Sequence, residues 1–202
     1  MVFDQLVNLF ASILIVFRRV RLLIFYPYKT MRKISLEKDM VQVGVILFIS
    51  FLYFMFAYKI RNGIFFGILA FFIFIMLFLI TTLFFYWSTK RFNNNLFYNR
   101  FVITYSYTLI PTFFWFFTNA IFYVILPPPR TISLLGKGFS IAYLTYSINI
   151  LVWKLILVYF SLRFSSRLGL IRIIYVFILY LLLLLPLSML LYQLHIFRIP
   201  FI

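Results

Sequence analysis

Five long apolar stretches fill most of this 202-residue chain, and they constrain its fold more than any other feature. A helix needs about 20 residues to cross roughly 30 Å of hydrocarbon, and the stretches are of that length. Lipid offers no water to bond the backbone, so each crossing stretch should be a helix. The stretches cover residues 41–58, 64–87, 101–126, 139–162 and 173–194. The sequence therefore predicts an all-α, polytopic membrane bundle of five transmembrane helices, formed by residues 41–202.

The distribution of charge predicts how the bundle is oriented. The chain has 19 Lys and Arg against three acidic residues, a net charge of +16, and the bases flank the apolar stretches. That placement indicates contact with anionic headgroups rather than with nucleic acid. Seven bases precede the first stretch, three lie in 88–100 and three in 163–172, whereas the opposite side carries five. The positive-inside rule thus predicts a cytoplasmic N-terminus and an outside C-terminus.

Residues 1–40 are predicted to form a cytoplasmic basic segment that lies at the membrane interface. Apolar residues recur at helical spacing on one face: Leu6, Leu9, Phe10, Ile13, Phe17, Val20 and Ile24. Ser12 and Arg19 lie on the opposite face, as an interfacial amphipathic helix requires. We expect Arg18, Arg19 and Arg21 to contact anionic lipid headgroups. A failed sixth span is the alternative. Pro27 should break this helix before a second, short basic helix at 29–38.

The inventory of reactive side chains argues against catalysis. The three acids, Asp4, Glu37 and Asp39, all precede the first span, His195 is the only histidine, and there is no cysteine. Neither a carboxylate pair nor a Ser-His-Asp arrangement is available within the spans. A single histidine without other ligands does not make a metal site. We therefore predict no enzymatic activity, no catalytic residue, no metal and no cofactor.

Polar residues inside the spans form the remaining candidate site. Lys154 lies within the fourth span and shares a helical face with Ser147 and Tyr143. The third span carries a polar stripe that includes Thr104, Thr108 and Asn119. Buried charge often marks a transport pathway, but lysines also snorkel to the interface and hydroxyls also join helices. Both interpretations stay open for this candidate polar seam.

Proline and glycine add two further expectations about the spans. Pro111 in the third span and Pro186 in the fifth should each bend their helix. Gly63 and Gly67 form a Gly-x-x-x-Gly spacing that permits close helix approach, within the chain or in a dimer. The oligomeric state is left open.

One motif in the third span resembles a known family. The segment from Tyr105 through Tyr107 to Pro111 resembles the Tyr-x-Tyr-x-x-x-Pro core of the Yip (Ypt-interacting protein) domain family. Residues 26–34 resemble the Pro-x-x-Thr-hydrophobic-Arg-x-Ile segment of its prokaryotic branch. The resemblance implies five spans, a cytoplasmic N-terminus and a prokaryotic cell membrane. The acidic region and the Asp-Leu-x-Gly-Pro motif of the eukaryotic members are absent, so a Rab-type GTPase partner is not implied.

These observations lead to two functional hypotheses. The first is a noncatalytic membrane scaffold of the Yip type that holds anionic lipids and recruits a cytoplasmic protein partner. The alternative is a transport component, either a permease subunit or a lipid- or solute-handling protein, that uses the polar seam near Lys154.

Overall fold

Every element of the described chain is an α-helix. The structure, a computed structural model, describes residues 2–61, 64–94, 96–125 and 134–193. Its elements are α1 (Val2–Phe25), α2 (Pro27–Ile34), α3 (Val41–Arg61), α4 (Ile64–Lys90), α5 (Tyr98–Tyr107), α6 (Ile110–Ile125), α7 (Leu134–Ser166) and α8 (Leu170–Gln193). Five spans are long and apolar enough to cross a membrane, with α5 and α6 together supplying the third. The predicted all-α, five-span membrane fold is confirmed.

The third span is interrupted just before Pro111. The α-helix stops after Tyr107 and resumes at Ile110, and the two residues between them form a tight turn. The Thr108 amide donates to the Tyr105 carbonyl at 2.9 Å, a spacing of three residues. Proline has no amide hydrogen and cannot donate to the residue four before it, which explains a break here. Pro186, where a bend was also expected, lies inside the continuous helix α8.

The interrupted span forms the centre of the bundle. In its apolar window 78% of the residues are buried, against 11% to 33% in the other four spans. Aromatic rings join it to α3, where Tyr53 stacks on Phe116 at a centroid distance of 4.4 Å. Large side chains packed at this density stabilise the bundle by dispersion.

Gly67 serves a contact within the chain. A Cβ atom at position 67 would lie 3.0 Å from the carbonyl oxygen of Phe54, so glycine lets α4 approach α3 closely. Gly63, the other half of the spacing, lies outside the described residues, as does His195.

Helices α1 and α2 pack against the spans. α1 ends at Phe25, so the predicted break before α2 is present, and Pro27 itself occupies the first turn of α2. α2 ends at Ile34, so the prediction of a helix at 29–38 was wrong at both ends. Proline is favoured in a first turn, which sets the earlier start, and the Ser35 hydroxyl donates to the Arg32 carbonyl at 2.8 Å where the helix stops. The Tyr28 ring lies against Phe164 of α7 at 5.1 Å.

Helix α1 presents opposite faces to the bundle and to its surroundings. Its buried stripe consists of Ser12, Val16, Leu23 and the half-buried Arg19. Phe10, Phe17 and Ile24, part of the predicted apolar face, are exposed. The polar side of α1 therefore faces protein rather than water.

Candidate functional site

Three base-rich segments meet at one end of the bundle, which we call the basic end. The Asn93 side chain donates to the Ser166 carbonyl at 3.3 Å, which joins the end of α4 to the end of α7. The Ser165 hydroxyl donates to the Arg100 carbonyl at 3.3 Å, so the start of α5 lies there too. The Arg172 guanidinium lies 5.7 Å from the Phe92 ring and adds the start of α8. The Tyr28 ring of α2 packs on Phe164 near the end of α7, so the three segments grouped by counting Lys and Arg share one end.

A polar cluster holds α1 to the spans at the basic end. Its members are Ser12, Arg19, Glu37, Asp39, Gln42 and Tyr107. The Arg19 guanidinium forms an ion pair with Glu37 and donates to Gln42. It also donates to the Tyr107 hydroxyl at 3.3 Å, and that hydroxyl donates to Gln42 Oε1 at 2.6 Å. One arginine of α1 is therefore bonded to the loop before α3, to α3 itself and to α5.

The two acids of this cluster are bonded within the protein. Gln42 Nε2 donates to Glu37 at 3.1 Å and to Asp39 at 3.0 Å. The Ser12 hydroxyl donates to Asp39 at 3.1 Å, and the Val41 amide donates to the same carboxylate at the start of α3. An acceptor at this position satisfies an amide that the helix leaves unbonded. The loop before α3 is thereby fixed against α1.

The surroundings of Arg19 also fix its charge. Burial lowers the pKa of Arg19. Its hydrogen bonds to Glu37 and Tyr107 and its attraction to Glu37 raise the pKa by more, so the net pKa is above the ordinary value. Arg19 is enclosed by these partners, whereas Arg18 and Arg21 are exposed. Lipid contact stays a prediction for Arg18 and Arg21, whereas Arg19 is occupied inside the protein.

A basic groove runs between α1 and α2 beside this cluster. The cavity has a volume of about 500 Å³. It is lined by Ile15, Arg18, Arg19, Leu22, Tyr26, Lys29, Thr30, Lys33 and Glu37. Arg18, Lys29 and Lys33 are exposed, so three of its cations can reach an anion outside the protein.

The polar residues predicted inside the spans meet along α7. The Ser161 hydroxyl donates to Thr104 at 2.9 Å, and Thr104 shares a 2.7 Å hydrogen bond with Ser165. Toward the other end of the bundle, Trp115 Nε1 donates to Ser147 at 3.1 Å. Thr104 and Ser147 of the polar seam therefore join α5–α6 to α7. Ser161 and Ser165 were not among the predicted seam residues, although both lie on the helical face of Lys154.

The other seam residues have different surroundings. Thr108 donates to the Tyr105 carbonyl of its own span at 2.7 Å. The Tyr143 ring lies against Phe122 at a centroid distance of 5.8 Å, and Asn119 is half-buried. The Thr108 hydroxyl thus bonds within its own span, whereas Tyr143 of α7 packs against α6 through its ring.

Lys154 lies in the middle of the polar seam and is 9% exposed. It stands midway between Ser147 and Ser161, whose partners, Trp115 and Thr104, bracket the break in the third span. In the antiparallel register of these helices, Lys154 is level with that break. Among the described residues none bonds to its ammonium group, and the buried Thr112 hydroxyl also has no partner there.

The residues of the Yip-like motif are buried in the central span. Tyr105 lies against Phe85 at 5.7 Å, and its hydroxyl is 3.4 Å from that of Tyr180 in α8. Tyr107 belongs to the polar cluster, and Pro111 follows the break. The two tyrosines thus contact opposite sides of the bundle, which makes the motif a packing element.

The chemistry that these side chains offer is the binding of anions by cations. The described residues include no group of three or more His, Cys, Asp or Glu that could hold a metal ion. Comparison of the chain with protein-family models, curated proteins and solved structures finds no match. The resemblance to the Yip family therefore stays a prediction that depends on the motif residues.

Proposed function

We propose that this chain is a noncatalytic integral membrane scaffold of the Yip-domain type. In this proposal the basic end faces the cytoplasm of a prokaryotic cell, binds anionic lipids and recruits a cytoplasmic protein partner. The observation that carries the proposal is the convergence of three base-rich segments at one end, where Glu37 and Asp39 are already bonded internally. The exposed cations are left to act on groups outside the chain.

Lipid attraction at the basic end has both an electrostatic and an apolar component. Each Lys or Arg near an anionic leaflet contributes about 1 kcal/mol to membrane attraction. Arg18, Lys29 and Lys33 line the basic groove, and Phe10 and Phe17 are exposed on α1. This combination is typical of a helix that lies in the headgroup region.

The absence of cysteine makes the proposed orientation directly testable. Arg91→Cys places a single thiol at the basic end, and Gly138→Cys places one at the opposite end; both positions are exposed. A membrane-impermeant maleimide applied to intact cells should label only Gly138→Cys, and cell lysis should expose Arg91→Cys. The reverse pattern would contradict the cytoplasmic placement of the basic end.

The scaffold function is tested by removing the exposed charges around the groove while keeping Arg19. The variant carries Gln at positions 18, 21, 29 and 33, and Lys137→Gln at the other end is the control. In nanodiscs of mixed zwitterionic and anionic lipid, native mass spectrometry should find fewer anionic lipids bound to the variant than to the wild type. The Lys137→Gln control should bind as many as the wild type. A stoichiometric cytoplasmic protein should co-purify with the wild type and the control, but not with the variant. If the wild type purifies without any such protein, the recruitment part of the proposal fails.

The surroundings of Lys154 favour a second candidate, transport of a small anion. Lys154 is a buried cation level with the break in the third span. Transporter sites are often lined by discontinuous helices of this kind, and buried charges often mark their pathways. Under this proposal, vesicles containing the wild type should take up chloride or a small carboxylate, and Lys154→Met should abolish the uptake at equal expression. Absence of flux for every probe, or unchanged flux in the variant, would exclude this candidate.

A further inference from the structure

A second cavity at the basic end is surrounded by arginines from separate parts of the chain. It has a volume of about 270 Å³. Its lining consists of Arg32, Arg100, Arg163 and Arg167 with Ser35, Leu36 and Phe164. The arginines come from α2, from the start of α5 and from the end of α7 with the turn that follows it. We call this cavity the arginine pocket.

No acidic side chain that the structure describes lines the arginine pocket. Neither Glu37 nor Asp39 is among its lining residues. Glu37, the acid next to Leu36 in sequence, is paired with Arg19 on the other side of α2. Four like charges around one small cavity repel each other, and the repulsion is relieved when an anion binds between them.

Local structure fixes the backbone of these arginines. The Arg100 carbonyl accepts hydrogen bonds from Thr104 at 2.8 Å and from Ser165 at 3.3 Å, which ties the start of α5 to α7. Arg167 has a φ angle of 55°, in the left-handed region that residues other than glycine rarely adopt. Its amide donates to the Arg163 carbonyl at 3.1 Å. A left-handed residue with this hydrogen bond ends many helices, and here it fixes the backbone of Arg167 beside the pocket.

The guanidinium groups keep most of their donors for a ligand. Arg163 donates to the Tyr159 hydroxyl at 3.1 Å, and Arg100 lies over the Phe97 ring at 5.1 Å. A guanidinium group has five N–H donors in a planar fork that matches the oxygen atoms of a phosphate. Stacking on a ring leaves those in-plane donors available.

We propose that the arginine pocket binds a phosphate monoester group. A dianionic phosphate provides the charge and the several oxygen atoms that the four arginines lining the pocket can bind. The pocket is smaller than the roughly 300–1,000 Å³ of sites for drug-sized molecules, which favours a headgroup-sized ligand. The phosphate comes either from a lipid such as phosphatidic acid or from solution. The lipid source, unlike the pocket itself, depends on the proposed function, which places this end among headgroups.

The test compares two pairs of basic residues at the same end of the bundle. Arg100→Gln with Arg163→Gln removes two charges from the pocket, and Lys90→Gln with Arg91→Gln removes two exposed charges that line neither the pocket nor the basic groove. The full chain is placed in zwitterionic nanodiscs and titrated with phosphatidic acid, inorganic phosphate or pyrophosphate. Binding is measured by native mass spectrometry. We expect one saturable site, with affinity reduced about tenfold for each pocket arginine lost and little changed by the outer pair.

The outcomes separate the two sources of phosphate. Binding of phosphatidic acid that soluble phosphates do not displace assigns the site to a lipid, and displacement assigns it to a soluble ligand. If the double variant does not fold, Arg163→Lys retains the charge but loses the planar fork, and should still weaken binding. The absence of a saturable site, or an equal loss of affinity in the outer pair, would overturn the proposal that the pocket binds phosphate. Either result leaves general lipid attraction at the basic end intact.

Discussion

Arg19 and Lys154 are two largely buried cations among the described residues, and their surroundings differ. The side chain of Arg19 is 12% exposed and is bonded to Glu37, Gln42 and Tyr107. Lys154 is 9% exposed and has no bonding partner among the described residues. A paired buried charge joins the elements that carry its partners, whereas an unpaired one lowers stability. The contacts of Arg19 therefore account for its burial, whereas stability gives no reason for a buried charge at Lys154.

The largest expected effect comes from removing the unpaired cation. Lys154→Met has a similar length and no charge, so we expect unfolding free energy to rise by about 3 kcal/mol, the insertion cost of a charge at depth. Unfolding by SDS in mixed micelles, followed by the fluorescence of the three tryptophans, measures the change. A loss of stability would mean that Lys154 has a partner and would remove the contrast with Arg19.

The paired cation should respond in the opposite direction. Glu37→Gln leaves the Arg19 guanidinium without its carboxylate, and we expect a loss of about 2 kcal/mol in the same assay. The double variant Arg19→Leu with Glu37→Leu should lose less stability than the sum of the losses in Arg19→Leu alone and Glu37→Leu alone. Additive losses would show that the ion pair does not hold α1 to the spans.

Helical periodicity predicted much of this arrangement, and its failures have a common cause. Apolar length identified the five spans, and Pro27 marked the break between α1 and α2. Pro111 was expected only to bend the third span, which is instead interrupted just before it. Periodicity placed Arg19 on the polar face of α1, but it could not show that this face packs against protein. Contacts between residues far apart in the chain leave no periodic signal.

The arginine pocket also could not be predicted from helical periodicity, because its residues are far apart in the chain. Its arginines occur at positions from 32 to 167, and each is an ordinary flanking base in the sequence. Only the packing of α2 against α7, and of α7 against α5, brings them together. Ser161 and Ser165 were missed for a related reason, because their partner Thr104 lies in another span.

A smaller effect separates the two tyrosines of the Yip-like motif. Tyr107→Phe removes a hydroxyl that bonds Gln42 at 2.6 Å and Arg19 at 3.3 Å, so we expect a loss of about 1.5 kcal/mol. Tyr105→Phe is the control, because its hydroxyl lies 3.4 Å from that of Tyr180, a longer and weaker contact. Equal losses in the two variants would show that the polar cluster adds nothing beyond ordinary packing.

The smallest effect tests the hydroxyls of the polar seam. Thr104→Val keeps the shape of the side chain and removes the hydrogen bonds to Ser161 and Ser165. Bonds of this kind contribute about 0.6 kcal/mol each, so we expect a loss of about 1 kcal/mol. Thr108→Val is the matched control, since both threonines are fully buried but the Thr108 hydroxyl bonds only its own span.

The same pair of variants separates the two functions proposed for the seam. If Thr104 serves packing alone, its substitution lowers stability and leaves any anion flux through the Lys154 region unchanged. If the seam is a pathway, flux should fall in Thr104→Val at a protein concentration and temperature where the variant remains folded. A stability loss in Thr108→Val equal to that in Thr104→Val would contradict a role for the hydroxyl bonds between α5 and α7.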